Sequence, residues 1–481
     1  MFKFSQSDKK ILRPVYDFAN SRKVKLFLVG GAIRDLFLGR VKENPDFDFC
    51  LKSGSLQFGA RLARQLKCAF VILDRENASC RLVKKIRHRI YTFDFSDFRA
   101  STLEKDLLHR DFTINSMALD LGEVFGRGDI GETVIDPYGG RRDLKDKRIK
   151  ICAPGSFKED PLRILRAFSF GCLLGFDLDR ETLRLASKEK DRIRRVSSER
   201  VREELFKILD SALAYDCLER LDKLKILEII FPEIRPMRRI GQGPYHHLDV
   251  WQHTLETLRQ FELVVKWAKR MPLIDGYLKE EIAGLRKRAS LLKLACLLHD
   301  IGKPGALRRE KGKIIFHGHE RIGLGMTREI SHRLKLSNEE SRILGKIVLW
   351  HLRPGYLADN PPPTARAVFR YLRDTGESAL AVLLLSLADQ RATKGPLTTA
   401  LSRLNHEKTV RMLIRKILKQ KEEKKPRRFL NGHDLMKKFS LPASPVIGRL
   451  LADLEEAQAI GKIKSKKEAL DLSAKLVKSL E

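Results

Sequence analysis

Long apolar runs, paired cysteines and acidic residues are what this 481-residue chain has least of. No apolar run reaches the roughly 18 residues that a membrane-spanning helix needs. The N-terminal stretch MFKFSQSDKK has no apolar signal-peptide core. Seven Cys are scattered along the chain and none forms a C-x-x-C pair. That argues against a disulfide framework and a zinc knuckle, and predicts reduced thiols in a cytoplasm. Acidic residues are too few to balance the basic ones. Asp and Glu total 62 against 95 Lys and Arg, a net charge of +33 that is not confined to one tail.

A phosphate-rich partner is the reading that this charge favours, with nucleic acid foremost. The plainer alternative is a solvated basic surface. Hydrophobic residues at 43% leave ample material for packed cores, and the length suits about three or four domains. Residues 1–150 alternate short apolar runs with amphipathic stretches. Strands are predicted at 25–30, 46–51, 69–73, 81–86, 89–95 and 133–136, and helices at 32–38, 55–66 and 112–118, an α/β pattern. Beyond about residue 156 strand signals nearly stop. Segments such as EDPLRILRAFSFGCLLGF and SSERVREELFKIL read as helices, and Pro232 and Pro236 mark a break. The expected divisions are 1–150, 151–235, 236–410 and 411–481. The basic run 415–428 reads as a helix end or a linker.

The chemistry concentrates in short motifs. Asp46 and Asp48 lie at i and i+2 of a predicted strand and so point to one face. Paired carboxylates are ligands that Mg2+ prefers, and metal ions serve phosphoryl displacement. The Gly30-Gly31 turn opens backbone N–H groups to a triphosphate at a helix N-terminus, and Arg34 adds a charged donor one turn on. HRDFTINSMAL (109–119) places Arg110 and Asp111 in a loop and Asn115 on a predicted helix, and DPYGGRRDL (136–144) suits a hinge. In EDPLRILR, Pro161 fits a first helical turn, so Asp160 and Arg163 share a face. An Asp that only accepts, beside an Arg that only donates, matches the amine and ring nitrogen of cytosine and adenine. The same pair rejects guanine and uracil. The plainer readings are a surface acidic pair for Asp46 and Asp48, and a surface salt bridge for Asp160 and Arg163.

In this order these motifs resemble the class II tRNA nucleotidyltransferases: the CCA-adding enzymes, their CC-adding and A-adding relatives, and bacterial poly(A) polymerases. The resemblance is dense over 25–210. It implies a polymerase-β-like α/β head (1–150), a helical neck with the base-reading motif (151–235), an HD-type helical body (236–410) and a basic helical tail (411–481). It also implies that Asp46 and Asp48 hold Mg2+, that Gly30, Gly31 and Arg34 hold the triphosphate, and that Arg110, Asp111 and Asn115 meet the ribose and phosphates. Asp160 and Arg163 would read the base, with Glu199 and Arg200 as braces. A third carboxylate is often present in the family; Asp94 is favoured over Asp97 by its distance from Arg99. The implied partners are tRNA, CTP and ATP.

A second set lies further on. His253, His299-Asp300 and Asp389 follow an H…HD…D order that resembles the HD metal-dependent phosphohydrolases. His319 and His351 stand as further ligands or as binders of a substrate phosphate. Imidazoles with carboxylates suit Mn, Ni, Fe or Zn. The alternative is a body that serves mainly to bind tRNA.

Two features depart from the family pattern. Position 109 is His where a second Arg is usual, so one phosphate or tRNA contact should differ. The link from Arg99 to His109 is short, and CCA-adding members usually carry a longer flexible loop there. A one-base specialist is therefore expected, CC-adding ahead of A-adding, with a complementary nucleotidyltransferase in the same cell. The rival readings are a poly(A) polymerase, an RNA-end phosphohydrolase and a non-enzymatic RNA binder.

Overall fold

Alternation of Asp and Phe from 46 to 49 becomes a two-faced strand in the computed structural model, which describes residues 2–41, 44–126, 129–422 and 428–478. Strand β2 (Asp46–Leu51) follows β1 (Phe27–Val29) and α2 (Gly31–Phe37). The N-terminal helix α1 (Gln6–Ser21), absent from the expected elements, precedes them. It presents Leu12, Val15, Phe18 and Ala19 as a buried stripe despite Pro14. Phe47 and Phe49 stack on Phe93 and Phe95 at 6.0 and 5.0 Å. Phe58 of α3 (Ser55–Leu66) meets Phe95 at 5.3 Å and Phe18 at 5.2 Å. The helices thus cover the phenylalanine face, opposite the carboxylates.

With β3 (Ala69–Asp74), β4 (Ser79–Ile86), β5 (Arg89–Asp97) and β6 (Ala118–Asp120), the sheet runs β3-β4-β5-β2-β1-β6. Only β2 and β5 pair in parallel; the other neighbours are antiparallel. Two expectations fail within it. The predicted helix 112–118 is a single short turn, Thr113–Asn115, followed by β6. Asn115 and Ser116 spend their side chains on Asp111 and on the carbonyl of Leu107. The chain then extends to pair Ala118–Asp120 with β1, whose outer edge is otherwise unpaired. The predicted strand 133–136 is a helical turn, Ile130–Thr133, with one isolated bridge between Ile135 and Ala118.

The described chain divides into two compact units, residues 1–213 with 220–229, and 214–219 with 230–481. Unit one adds the helices Leu162–Leu174 and Ser198–Asp210 to the sheet domain. Unit two is helical around Val250–Ala268, Arg288–Leu298, Asn338–Trp350 and Ala379–Ala392. Its last three helices, Gly432–Phe439, Pro445–Ala459 and Lys466–Lys478, close a small core over Leu435, Leu450 and Leu454. Three two-stranded ribbons interrupt the helical pattern after residue 147. Two of them turn at Gly284 and Gly312, both at positive φ. Part of the basic run, 423–427, lies outside the described residues. No helix among the described residues is long and apolar enough to cross a membrane.

Candidate active site

The parallel register of β2 and β5 sets Asp48 beside Asp94 and Asp46 beside Thr92. Asp48 and Asp94 line a polar cavity of about 350 Å3 with Arg110, Asp160, Arg163 and Arg166. Asp46 is more exposed at the strand start. It accepts from the Thr92 hydroxyl and borders a neighbouring hollow. Asp94 is already gripped by Arg81, whose Nε and Nη2 donate at 2.7 and 2.6 Å. That fork raises the Arg81 pKa above its ordinary value, chiefly through the hydrogen bond itself. Asp97 has another task, accepting from the N–H groups of Gly54 and Ser55 at the start of α3. Of the two candidates for a third carboxylate, only Asp94 faces Asp48.

Gly30 approaches this pair from β1. Its φ is +73°, and a Cβ there would lie 3.2 Å from Asp48 Oδ2 and 3.4 Å from Arg110 Nη1. The turn needs glycine for its backbone angle and for the room it leaves. On α2, Arg34 donates from Nη1 to Asn115 Oδ1 at 2.8 Å. Asn115 in turn donates to Asp111 Oδ1 at 3.0 Å, and Arg166 forks onto Asp111 Oδ2 at 3.1 and 2.6 Å. Burial alone would push the Asp111 carboxyl up; Arg166 and the local hydrogen bonds outweigh it and hold the carboxyl below its ordinary range. Gly140 of the expected hinge sits so close to the Thr113 backbone that a Cβ would clash with it. It therefore acts as a packing point behind the Arg110-Asp111 loop.

Asp160 and Arg163 both border the cavity, but they do not share a helix face as expected. Asp160 is extended, Pro161 caps the helix, and Arg163 is its second residue. Asp160 accepts from Arg200 Nη2 at 2.7 Å and from the Leu162 N–H. Arg163 donates to Ser156 Oγ at 2.9 Å and to the His109 carbonyl at 2.6 Å. Among the described residues no ion pair joins the two, which removes the surface salt-bridge reading. His109 faces Glu159 at 3.3 Å. Arg200 braces Asp160, while Glu199 is exposed and forms no ion pair among the described residues. Sequence reasoning missed Arg81, Arg166 and Glu204. Arg166 was within reach, since it repeats the Arg163 position one turn later.

In unit two, His253, His299 and Asp389 converge, as do Asp300, His319 and His351, with ligand atoms within 4.8 Å inside each triad. Asp300 joins the triads. Its Oδ2 lies 3.2 Å from His299 Nε2 and its Oδ1 lies 3.3 Å from His319 Nε2 and 3.6 Å from His351 Nε2. His299, His319 and His351 each turn Nδ1 to a backbone carbonyl three residues back, at 2.8, 2.8 and 2.7 Å. With Nδ1 as the donor, each Nε2 presents a lone pair. Those of His319 and His351 face each other at 3.3 Å, and His299 Nε2 is buried with no hydrogen-bond partner among the described residues. Lone pairs converging on a carboxylate, oriented by outer hydrogen bonds, fit a divalent metal centre. Lys303 Nζ, one turn beyond the HD pair, donates to Asp300 and to Gln242 at 2.6 Å each.

Four family models match the chain: Poly A polymerase head domain (26–150), Probable RNA and SrmB-binding site of polymerase A (175–237), HD domain (250–394), and tRNA nucleotidyltransferase domain 2 putative (398–473). The chain is 31% identical to an A-adding tRNA nucleotidyltransferase of Deinococcus radiodurans, over 92% of this chain and 93% of that one. It is 29% identical to a CC-adding tRNA nucleotidyltransferase of Thermus thermophilus, over 92% of each. Its fold matches a CCA-adding enzyme solved with CTP at a TM-score of 0.66 and 22% identity, covering 99% of this chain and 96% of that one. It also matches the Thermotoga maritima CCA-adding enzyme solved with tRNA, at 0.64 and 20%, covering 100% and 97%. At those identities the two structures speak for the fold alone.

Proposed function

The chain belongs to the bacterial class II tRNA nucleotidyltransferases with an HD domain, and from that premise we propose that it is a CC-adding specialist of tRNA 3′ ends. The general activity is template-independent addition of C or A from CTP or ATP to tRNA. The primer 3′-hydroxyl attacks the nucleotide α-phosphate and pyrophosphate leaves.

The observation that carries the specialist reading is the state of the link before the Arg110-Asp111 motif. Residues Leu103–Leu108 form a helix (α4) whose Leu103 and Leu107 are buried against Phe27, Val29, Cys50 and Ala118. Thr102 caps it, and Asp106 accepts from the Arg99 N–H. Between Arg99, tied down by Asp106, and α4 only residues 100–102 remain, and three residues span at most about 11 Å. A segment so short and so pinned does not reach across a pocket to reset it from cytosine to the larger adenine. The A-adding reading has its own support in the 31% identical relative. Supplying CTP and ATP together to a tRNA lacking its three terminal nucleotides separates them. Stopping after two C supports CC addition. No extension there, with one A added to a tRNA already ending in CC, supports the A-adding reading. Extension by all three refutes the specialist reading. A CC-adding specialist requires a complementary nucleotidyltransferase in the same cell, and the expected compartment is the cytoplasm.

In this reading Asp46 and Asp48, with Asp94, hold Mg2+, which supplies charge stabilisation at the reacting phosphate. Gly30, Gly31 and Arg34 bind the triphosphate; Arg110, Asp111 and Asn115 orient ribose and phosphates; Asp160 and Arg163 read the base. The convergence of Asp48, Asp94, Arg110, Asp160 and Arg163 on one cavity supports it. The protein's contribution is mostly positioning. The domain divisions at 150, 235 and 410 belong to the same reading. We assign His253, His299, Asp300 and Asp389, with His319 and His351, to a site that would hold a divalent transition metal (Mn, Ni, Fe or Zn), and the ion would supply Lewis-acid activation for phosphate-ester hydrolysis at RNA ends.

A further inference from the structure

We infer that Glu204 and Arg166 are positioning residues for nucleotide addition, setting the place of the triphosphate-holding Arg34 through Asp111 and Asn115. The inference rests on the nucleotide-site reading above and goes beyond it, because Glu204 lies outside the cavity lining and Arg166, which borders the cavity, turns its donors to Asp111 and Glu204.

The five side chains form one continuous chain of polar contacts within unit one. Glu204, on the helix Ser198–Asp210, is 3% exposed. Its Oε2 accepts from Ser169 Oγ at 2.6 Å, and its Oε1 accepts from Lys207 at 2.7 Å and lies 3.6 Å from Arg166 Nη1. Arg166, on the helix Leu162–Leu174, turns its other edge to Asp111 and forks onto one oxygen. The second Asp111 oxygen accepts from Asn115 Nδ2, which turns Asn115 Oδ1 toward Arg34 Nη1. Arg34 is held on its remaining edge by Asp35 Oδ1, at 3.0 Å from Nε and 2.8 Å from Nη2. A second contact runs in parallel. The Phe170 ring lies 5.1 Å from the Arg34 guanidinium carbon and 5.2 Å from that of Arg166.

Orientation is what this chain transmits. An amide has a donor end and an acceptor end, so whichever group holds one end decides what the other offers. Asp111 accepts from Asn115, which leaves the Asn115 oxygen for Arg34. If Asp111 moves, the amide is free to turn its NH2 to a guanidinium that only donates, and Arg34 keeps Asp35 alone. Asp111 keeps its place because Arg166 forks onto it, and Arg166 keeps its place because a buried carboxylate stands behind it. A buried Glu204 left without cationic partners would be costly, so the arrangement is mutually enforced. Glu204 therefore sets the grip on the triphosphate from outside the cavity lining.

The test compares steady-state C addition by the full-length wild type, Glu204→Gln and Arg166→Lys. Glu204→Gln keeps the shape and the Ser169 hydrogen bond but removes the charge behind Arg166. Arg166→Lys keeps the charge but cannot fork. Each should raise the KM for CTP about tenfold, with kcat within about threefold and the KM for tRNA unchanged. In an Arg34→Lys background, Glu204→Gln should add less than about twofold, because both changes act on one grip. The inference is overturned if the KM for CTP stays within twofold of wild type. It is equally overturned if kcat falls at constant KM, if the KM for tRNA rises in step, or if the two effects multiply. Should Glu204→Gln not fold, by circular dichroism, Arg166→Lys decides alone. A wild type that adds neither C nor A would refute the nucleotidyltransferase reading itself, a result distinct from any of these.

Discussion

Replacing Gly30 by Ala tests the head site at its tightest point. Gly30 sits at φ +73° and ψ −132°, outside the range that L-residues populate. Holding an alanine there costs about 1–3 kcal/mol. The added methyl would stand 3.2 Å from Asp48 Oδ2 and 3.4 Å from Arg110 Nη1, so both must give by a few tenths of an ångström. Taking roughly 2 kcal/mol in all, the first unit should melt about 4–8 °C lower. The larger effect should fall on catalysis, because the displaced groups are the ones assigned to metal and phosphate. Misplacement on the order of 1 Å costs about a hundredfold, so a shift of a few tenths of an ångström should cost roughly threefold to tenfold. Two neighbours supply controls. Gly139 has a similar φ of +76° but open space around its Cβ position, so Gly139→Ala carries strain alone, about 1–2 kcal/mol. A Cβ on Gly31 comes nearest to Arg34 Nη2, at 3.5 Å, an ordinary contact. The assay pairs thermal melting with C addition to a tRNA lacking its terminal nucleotides. The reasoning is refuted if Gly30→Ala keeps more than a third of the activity, or loses no more than Gly139→Ala does.

Asp160→Ala or Arg163→Ala should relax base choice as well as slow addition, by about 1–3 kcal/mol of discrimination; kcat/KM for UTP and GTP that stays as low as in the parent would count against base reading. The double variant His299→Ala, Asp300→Ala should lose bound divalent metal by elemental analysis and keep C addition within about threefold; unchanged metal stoichiometry would contradict the assigned centre. Burial holds the His246 pKa down at about 3, against an ordinary 6.5. Its unfolded form therefore takes up a proton that the folded form refuses as pH falls from 6.5 toward 3, and stability drops by at most about 1.4 kcal/mol per pH unit. His246→Gln should remove that component, seen as a smaller loss in urea midpoint between pH 7 and pH 5 than in wild type. Binding of tRNA should weaken steeply between about 50 and 200 mM salt, as expected when several phosphates are neutralised; a flat log–log plot would contradict the charge argument.

What the sequence determined by itself was local. The i, i+2 spacing of Asp46 and Asp48 and the intervening phenylalanines specify a two-faced strand whatever surrounds it, because side-chain direction alternates residue by residue. Gly30-Gly31 specifies a turn through backbone freedom, and the order of the motifs carries the family. The HD pair and its flanking His and Asp residues were equally visible as residue types in order. Only the tertiary structure decided which groups meet. Asp94 and Asp97 are the same residue type three positions apart, yet the parallel register brings Asp94 to Asp48 while Asp97 is consumed in starting α3. Residues 112–118 have a helical pattern, and pairing with β1 overrides it. Asp160 and Arg163 are three apart, but Pro161 begins the helix between them and hands each to a different partner. Glu204 and Arg166 read as an ordinary acid and base on two helices. Burial turns them into a continuous polar chain, because a charge removed from water must find its partner wherever the fold places one.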